Sequence, residues 1–110
     1  MSVHELDRTL AALADPSRRR VVDLLRERPR RAGELAEAAK IAFPLMSRHL
    51  KRLRESGLVE EDRDEFDSRV RIYRLRPEPM AEVKLWLEET EALWSRQLTA
   101  FKAHVQKSRK

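Results

Sequence analysis

The chain has 110 residues, 41% of them hydrophobic and 39% charged, enough for one domain with a modest core and too short for two. Lys and Arg outnumber Asp and Glu by 24 to 19, a formal charge of +5 that favours an anionic partner, and the absence of cysteine excludes disulfides, thiolate metal sites and cysteine nucleophiles. No apolar run approaches the ~20 residues of a membrane span and the N-terminus carries no signal-peptide core, so a soluble, cytoplasmic protein without a membrane partner is expected.

Ser2-Val3-His4-Glu5 has the S-x-x-E form of a capping box. Val3, Leu6, Leu10 and Leu13 follow at helical spacing, which predicts a first helix over 3–13. Asp15-Pro16 restarts the chain, with Asp as N-cap and Pro at the first helical position. The second helix turns Val21, Val22, Leu24 and Leu25 inward and stops before Pro29. A short third helix spans 33–39, and its alanine-rich face suits close packing. The fourth starts near Pro44 and stops at Gly57, a residue that enters the left-handed region at little cost. Leu58-Val59 and Val70–Leu75 read as two strands joined by the polar stretch Arg63–Ser68, a hairpin. Pro77 and Pro79 flank the start of a last helix over about 78–107, roughly 45 Å long.

The order predicts a mainly α fold with a small β-hairpin, one domain over 1–110. Helices three and four form a helix-turn-helix over about 33–57, and the hairpin, over about 58–75, is the wing of a winged helix.

The charge is uneven. Residues 16–58 hold twelve Lys/Arg against five Asp/Glu, whereas 59–75 hold four against six. On a wheel of 100° per residue, Met46, Leu50 and Leu53 fall within about 60° of one another. Arg48, Lys51 and Arg52 lie roughly opposite, with Pro44 beside them and Ser47 on one flank. Such a helix is anchored by its apolar face and offers a cationic one to the major groove of double-stranded DNA. Arg48 has the reach for guanine O6 and N7, and Ser47 for a base or a phosphate. Lys51 and Arg52, about a turn later, suit phosphate. Simple solvation is the alternative for any charged helix face; the neighbouring helix, the hairpin and the local surplus argue against it. His49 borders the apolar stripe and reads as an internal residue. Phe43, at the turn, reads equally as a staple on the core or as an exposed ring for a thymine methyl.

On the last helix Met80, Leu87, Trp94 and Phe101 recur every seven residues, with Val83, Trp86, Leu93, Leu98 and Val105 beside them. A stripe this wide exceeds what a small domain covers by itself. Pairing with a second copy, supported by Leu6, Leu10 and Leu13 of the first helix, would bury it as a homodimer. Packing within its own domain is the alternative, and a groove beside Trp86 and Trp94 is a candidate site for an apolar effector.

The segments "LAALADPSRRRVVDLL", "GELAEAAKIAFPLMSRHLKRLRESGLVE", "RIYRL" and "PEPMAEVKLWLEETEALW" resemble the ArsR–SmtB family of winged-helix transcriptional repressors over about residues 3–105. The resemblance implies a homodimer that binds a dyad-symmetric operator, blocks transcription and is released by a signal. It assigns base reading to Phe43, Pro44, Ser47 and Arg48, and the wing to roughly Leu58–Leu75. Two positions depart from the family pattern: Lys40 stands where a turn glycine is usual, and Ala42 where a serine-like N-cap is usual. The wing is acidic, with Glu60, Glu61, Asp62, Asp64, Glu65 and Asp67, which leaves Arg63, Arg69 and Arg71 as its DNA contacts.

Metal sensing in the family uses paired cysteines or Asp/His/Glu clusters. This chain has no cysteine, and its histidines, at 4, 49 and 104, lie far apart, so neither a metal nor another cofactor is expected. With two glycines there is no phosphate loop, nor is there a nucleophile elbow, and no enzymatic role is expected. A protein-interaction module and a metal-responsive repressor are the rival functions.

Overall fold

The computed structural model describes residues 3–108, with side chains from residue 5 onward. The capping box at Ser2 and the side chains of Val3 and His4 lie outside the described residues.

Helix α1 (Val3–Leu13) leads into α2 (Pro16–Glu27) through the predicted cap. Asp15 Oδ1 accepts the backbone N–H of Ser17 at 2.7 Å and of Arg18 at 3.4 Å. The Ser17 bond, more than any other interaction, holds the Asp15 carboxyl below its ordinary range. Thr9 on α1 is buried, and its hydroxyl avoids the cost of an unmet donor by bonding Glu5 O at 3.0 Å.

The predicted hairpin is the larger part of a three-stranded sheet. β2 (Val59–Arg63) and β3 (Arg71–Leu75) pair antiparallel from Val59↔Leu75 to Arg63↔Arg71, so the polar stretch begins inside a strand. β1 (Arg30–Arg31) adds to the other edge of β3 through Arg30↔Tyr73 and Arg31↔Ile72. Two arginines have no strand periodicity to read. β1 exists because β3 offers them a ladder, a tertiary effect.

α3 (Ala32–Ala39) and α4 (Phe43–Glu55) form the helix-turn-helix. Lys40 sits in the left-handed region at φ 57°, ψ 46°, and Ile41 N–H closes onto Ala36 O at 2.9 Å. Ala42, at the N-cap of α4, supplies no side-chain hydrogen bond. Both departures therefore carry their physical penalties, about 1–2 kcal/mol for the left-handed lysine and about 1 kcal/mol for the missing cap. Gly57, at φ 84°, ends α4.

Val21, Val22, Leu24 and Leu25 of α2 pack with Leu35, Met46, Leu50 and Leu53, and Leu58 and Val59 close the core beneath the sheet. α5 (Pro77–Ser108) touches this body only near its start, where Val83 is its one buried residue. From Lys84 to Ser108 every residue is exposed except the half-buried Val105. The radius of gyration is 19.5 Å and the long dimension 72 Å, against about 13 Å for a compact chain of this length. Beyond Val83 the stripe of α5 is not covered by the described residues of its own domain.

Candidate nucleic-acid interface

α4 is turned as the wheel predicts. Met46, Leu50 and Leu53 are buried, and Pro44, Ser47, Arg48, Lys51 and Arg52 are exposed. His49 is buried on the inner side and is not a base reader. Phe43 is 55% exposed at the first turn, so of its two readings the outward ring holds. Leu45, 43% exposed beside it, belongs to the same surface and was missed by the sequence reading. Its position about 100° from Met46 on the wheel was the available signal.

Many arginines of the chain are held by carboxylates, but the cations on the outer face of α4 are not. Arg18, Arg26, Arg28, Arg30, Arg31 and Arg54 each hold a carboxylate within 4 Å. Among the described residues, Arg48, Lys51 and Arg52 form no ion pair. An unpaired, solvated cation is the kind that gains most from phosphate, because it gives up only counterions and water.

The wing behaves differently from the expectation. Glu61 sits in a knot: the Arg54 guanidinium pairs with it from α4, Arg71 Nη1 reaches its Oε1 at 2.9 Å, and the Tyr73 hydroxyl donates to Oε2 at 3.2 Å. Burial first, and then the Glu61 charge, push the Tyr73 phenol up from its ordinary pKa. Arg31 pairs with Asp64 at 3.1 Å, Arg74 with Asp62 at 3.6 Å, and Arg69 with Asp67 at 3.1 Å. The Arg69 side chain, followed by its backbone N–H, holds the Asp67 carboxyl below its usual range. Of the expected wing contacts, Arg69 and Arg71 thus have their guanidiniums on carboxylates, while Arg63 enters no ion pair among the described residues. The register explains this, since Glu61 opposes Tyr73 and its diagonal neighbour on the same face is Arg71. Four of the six wing carboxylates are thus paired, Asp64 by Arg31 of β1 alone and the others with help from wing arginines.

Of the residues expected at a subunit interface, Leu87, Trp94, Leu98 and Phe101 stand exposed along α5, and Leu10 is exposed on α1. Leu6 is half-buried, Leu13 packs partly on its own core, and Met80, in the first turn of α5, lines a groove with residues of α2 and β3. The hollow beside Trp94 is formed with Gln97, Leu98 and Phe101, without Trp86. The charge of α5 is segregated: Glu78, Glu82, Glu88, Glu89 and Glu91 share the first half with Lys84, and after Glu91 the helix carries only Arg96, Lys102 and Lys107. Among the described residues, no three His, Asp or Glu side chains gather as a metal cluster, and no helix is long and apolar enough to cross a membrane.

A helix-turn-helix with a free cationic second helix, followed by a β-wing, defines a winged helix-turn-helix protein of the transcription-regulator class. Residues 15–61 match the family described as bacterial regulatory protein, arsR family. Over 95 residues the chain is 36% identical to the HTH-type transcriptional regulator Rv2034 of Mycobacterium tuberculosis (strain ATCC 25618 / H37Rv), covering 86% of this chain and 83% of that one. An ArsR-like transcriptional regulator from Rhodococcus sp. RHA1 superposes with a TM-score of 0.76 at 29% identity, over 90% of this chain and 91% of that one. The homodimeric winged helix-turn-helix DNA-binding domain of Mb0332 from Mycobacterium bovis gives a TM-score of 0.64 at 26% identity, over 80% and 82% of the two chains. The chain belongs to the ArsR family of transcriptional regulators.

Proposed function

We propose that the protein is a homodimeric repressor that sets two copies of α4 into successive major grooves of a dyad-symmetric operator, its half-sites roughly 34 Å apart. The observation that carries this is the unpaired Arg48–Lys51–Arg52 face in a chain that pairs most of its other arginines. Ser47 and Arg48 read base edges, and Phe43, Pro44 and Leu45 offer apolar surface to thymine methyls. Lys51 and Arg52 take phosphates. Arg69 and Arg71 of the wing contribute secondarily, since phosphate must draw them from Asp67 and Glu61. The work is done in the cytoplasm, where the operator is.

Leu87, Trp94, Leu98 and Phe101, with Leu6 and Leu10 of α1, form the subunit interface; Leu13 and Met80 stand at its edge. The charge segregation of α5 favours antiparallel pairing, which lays the glutamate-rich half of one helix on the Lys/Arg half of its partner. The homodimeric description of the Mycobacterium bovis domain supports this assembly.

Arg48→Ala is expected to weaken operator binding by about 1–3 kcal/mol and to relax selectivity at one base pair. Fluorescence anisotropy with a fragment from upstream of the protein's own gene, against random duplex at two salt concentrations, checks it. Wild-type affinity in the variant sinks the base-reading role. Equal weak binding of both duplexes by the wild type favours a protein-interaction module.

A further inference from the structure

Between α2, the end of β3 and the first turns of α5 runs an open groove of about 1050 Å³. Its floor is apolar: Val22 and Leu25, both buried, with Leu13, Leu75 and Met80. Its rim is cationic, with Arg19, Arg26, Arg28, Arg74, Arg76 and Lys84 around it against two carboxylates, Asp23 and Glu27. Asp23 pairs with Arg26 of the rim and Glu27 with Arg30, while Arg28, Arg74, Arg76 and Lys84 pair with Glu34, Asp62, Glu78 and Glu88 outside the groove. Arg19 has no partner among the described residues. The Nε of Arg74 is shut off from solvent without an acceptor, and its Nη2 reaches Asp62 only at 3.6 Å.

A partner helix is a poor occupant. The distal half of α5 is apolar enough, but past Glu91 it carries Arg96, Lys102 and Lys107 and no carboxylate, so like charges would meet at the rim. The groove also uses a different side of α5. Pro77, Met80, Ala81 and Lys84 point on average about 80° around the helix from Leu87, Trp94, Leu98 and Phe101. A second copy laid on the stripe borders the groove and leaves it open.

We propose that this groove binds an amphiphilic organic anion, a single-chain alkyl carboxylate that is monomeric in solution. The alkyl chain lies on Leu13, Val22, Leu25, Leu75 and Met80, and the carboxylate meets Arg19 and the Arg74 guanidinium. The volume slightly exceeds that of usual small-molecule sites, about 300–1,000 Å³, so a single alkyl chain occupies part of the groove. The lip of the groove is tied to the DNA-reading unit, because Arg76 N–H donates to Leu58 O at 2.9 Å, one residue past the glycine that ends α4. The ligand is therefore placed to act as the signal of the repressor proposed above, and only this last role rests on that reading.

Isothermal titration calorimetry of the DNA-free, full-length protein tests the site. The probes are dodecanoate below its micelle concentration and dodecyltrimethylammonium, which has the same chain length and the opposite head charge. Saturable binding of one dodecanoate per chain and none of the ammonium is expected. Arg19→Glu, at an exposed position, weakens dodecanoate binding by about tenfold or more. Ala81→Trp sets an indole over the apolar floor and abolishes binding, with circular dichroism confirming that each variant is folded. Absence of dodecanoate binding, equal binding of the two amphiphiles, or unchanged affinity in the folded variants overturns the proposal. No DNA enters the cell, so a failed operator assay and a failed ligand assay are read separately.

Discussion

At Lys40 a side chain occupies backbone space that suits glycine, with φ at 57°. Lys40→Gly removes a Cβ clash worth about 1–2 kcal/mol and returns part of it as unfolded-state entropy. A net gain of about 0.5–1 kcal/mol is expected, read as a higher denaturant midpoint at constant m. Asp15 poses the opposite case. Its carboxyl pKa is depressed in the folded state below the unfolded value of 3.8, so the stability it contributes is present above that value and is lost as pH falls through the folded pKa. Asp15→Ala is expected to melt below wild type at pH 7, and the gap to narrow as melts are repeated down to pH 3. The Asp15 cap was legible in the sequence, because capping obeys rules a few residues long, whereas Lys40 stood out only through the family resemblance. The Arg54–Glu61–Arg71–Tyr73 knot was not legible. It depends on strand register and on where α4 ends relative to β2, which local rules leave free.

The helices followed from their periodicity, with bounds matched to within a residue or so, since each buries a continuous apolar stripe. β1 had no such signal, and the sheet's third strand escaped for that reason. For α5 the sequence indicated length and a stripe, and the structure adds that the stripe beyond Val83 has no cover within the chain. Trp94, 61% exposed on that helix, is an interface anchor in the proposed dimer. Trp94→Glu leaves the winged body intact and is expected to weaken self-association by about 2–4 kcal/mol. Sedimentation velocity reports it as a shift from dimer to monomer, and an unshifted dimer would move the interface elsewhere.

For the molecule as a whole, charge decides more than shape does. The excess of cations over acids does not translate into a uniformly adhesive surface, because most wing carboxylates are paired with arginines while the outer face of α4 carries three cations without an ion pair among the described residues. In the proposed complex Glu61, held by two arginines and a tyrosine, competes with phosphate for Arg71. Glu61→Gln is expected to tighten binding by about 1 kcal/mol on operator and random duplex alike, measured by anisotropy at fixed salt. Affinity unchanged by that substitution would mean that Arg71 never meets the duplex. In the proposed repressor the protein thus arrives at DNA with a built-in rival for its target, and a grip held below its ceiling is one that a modest disturbance can open.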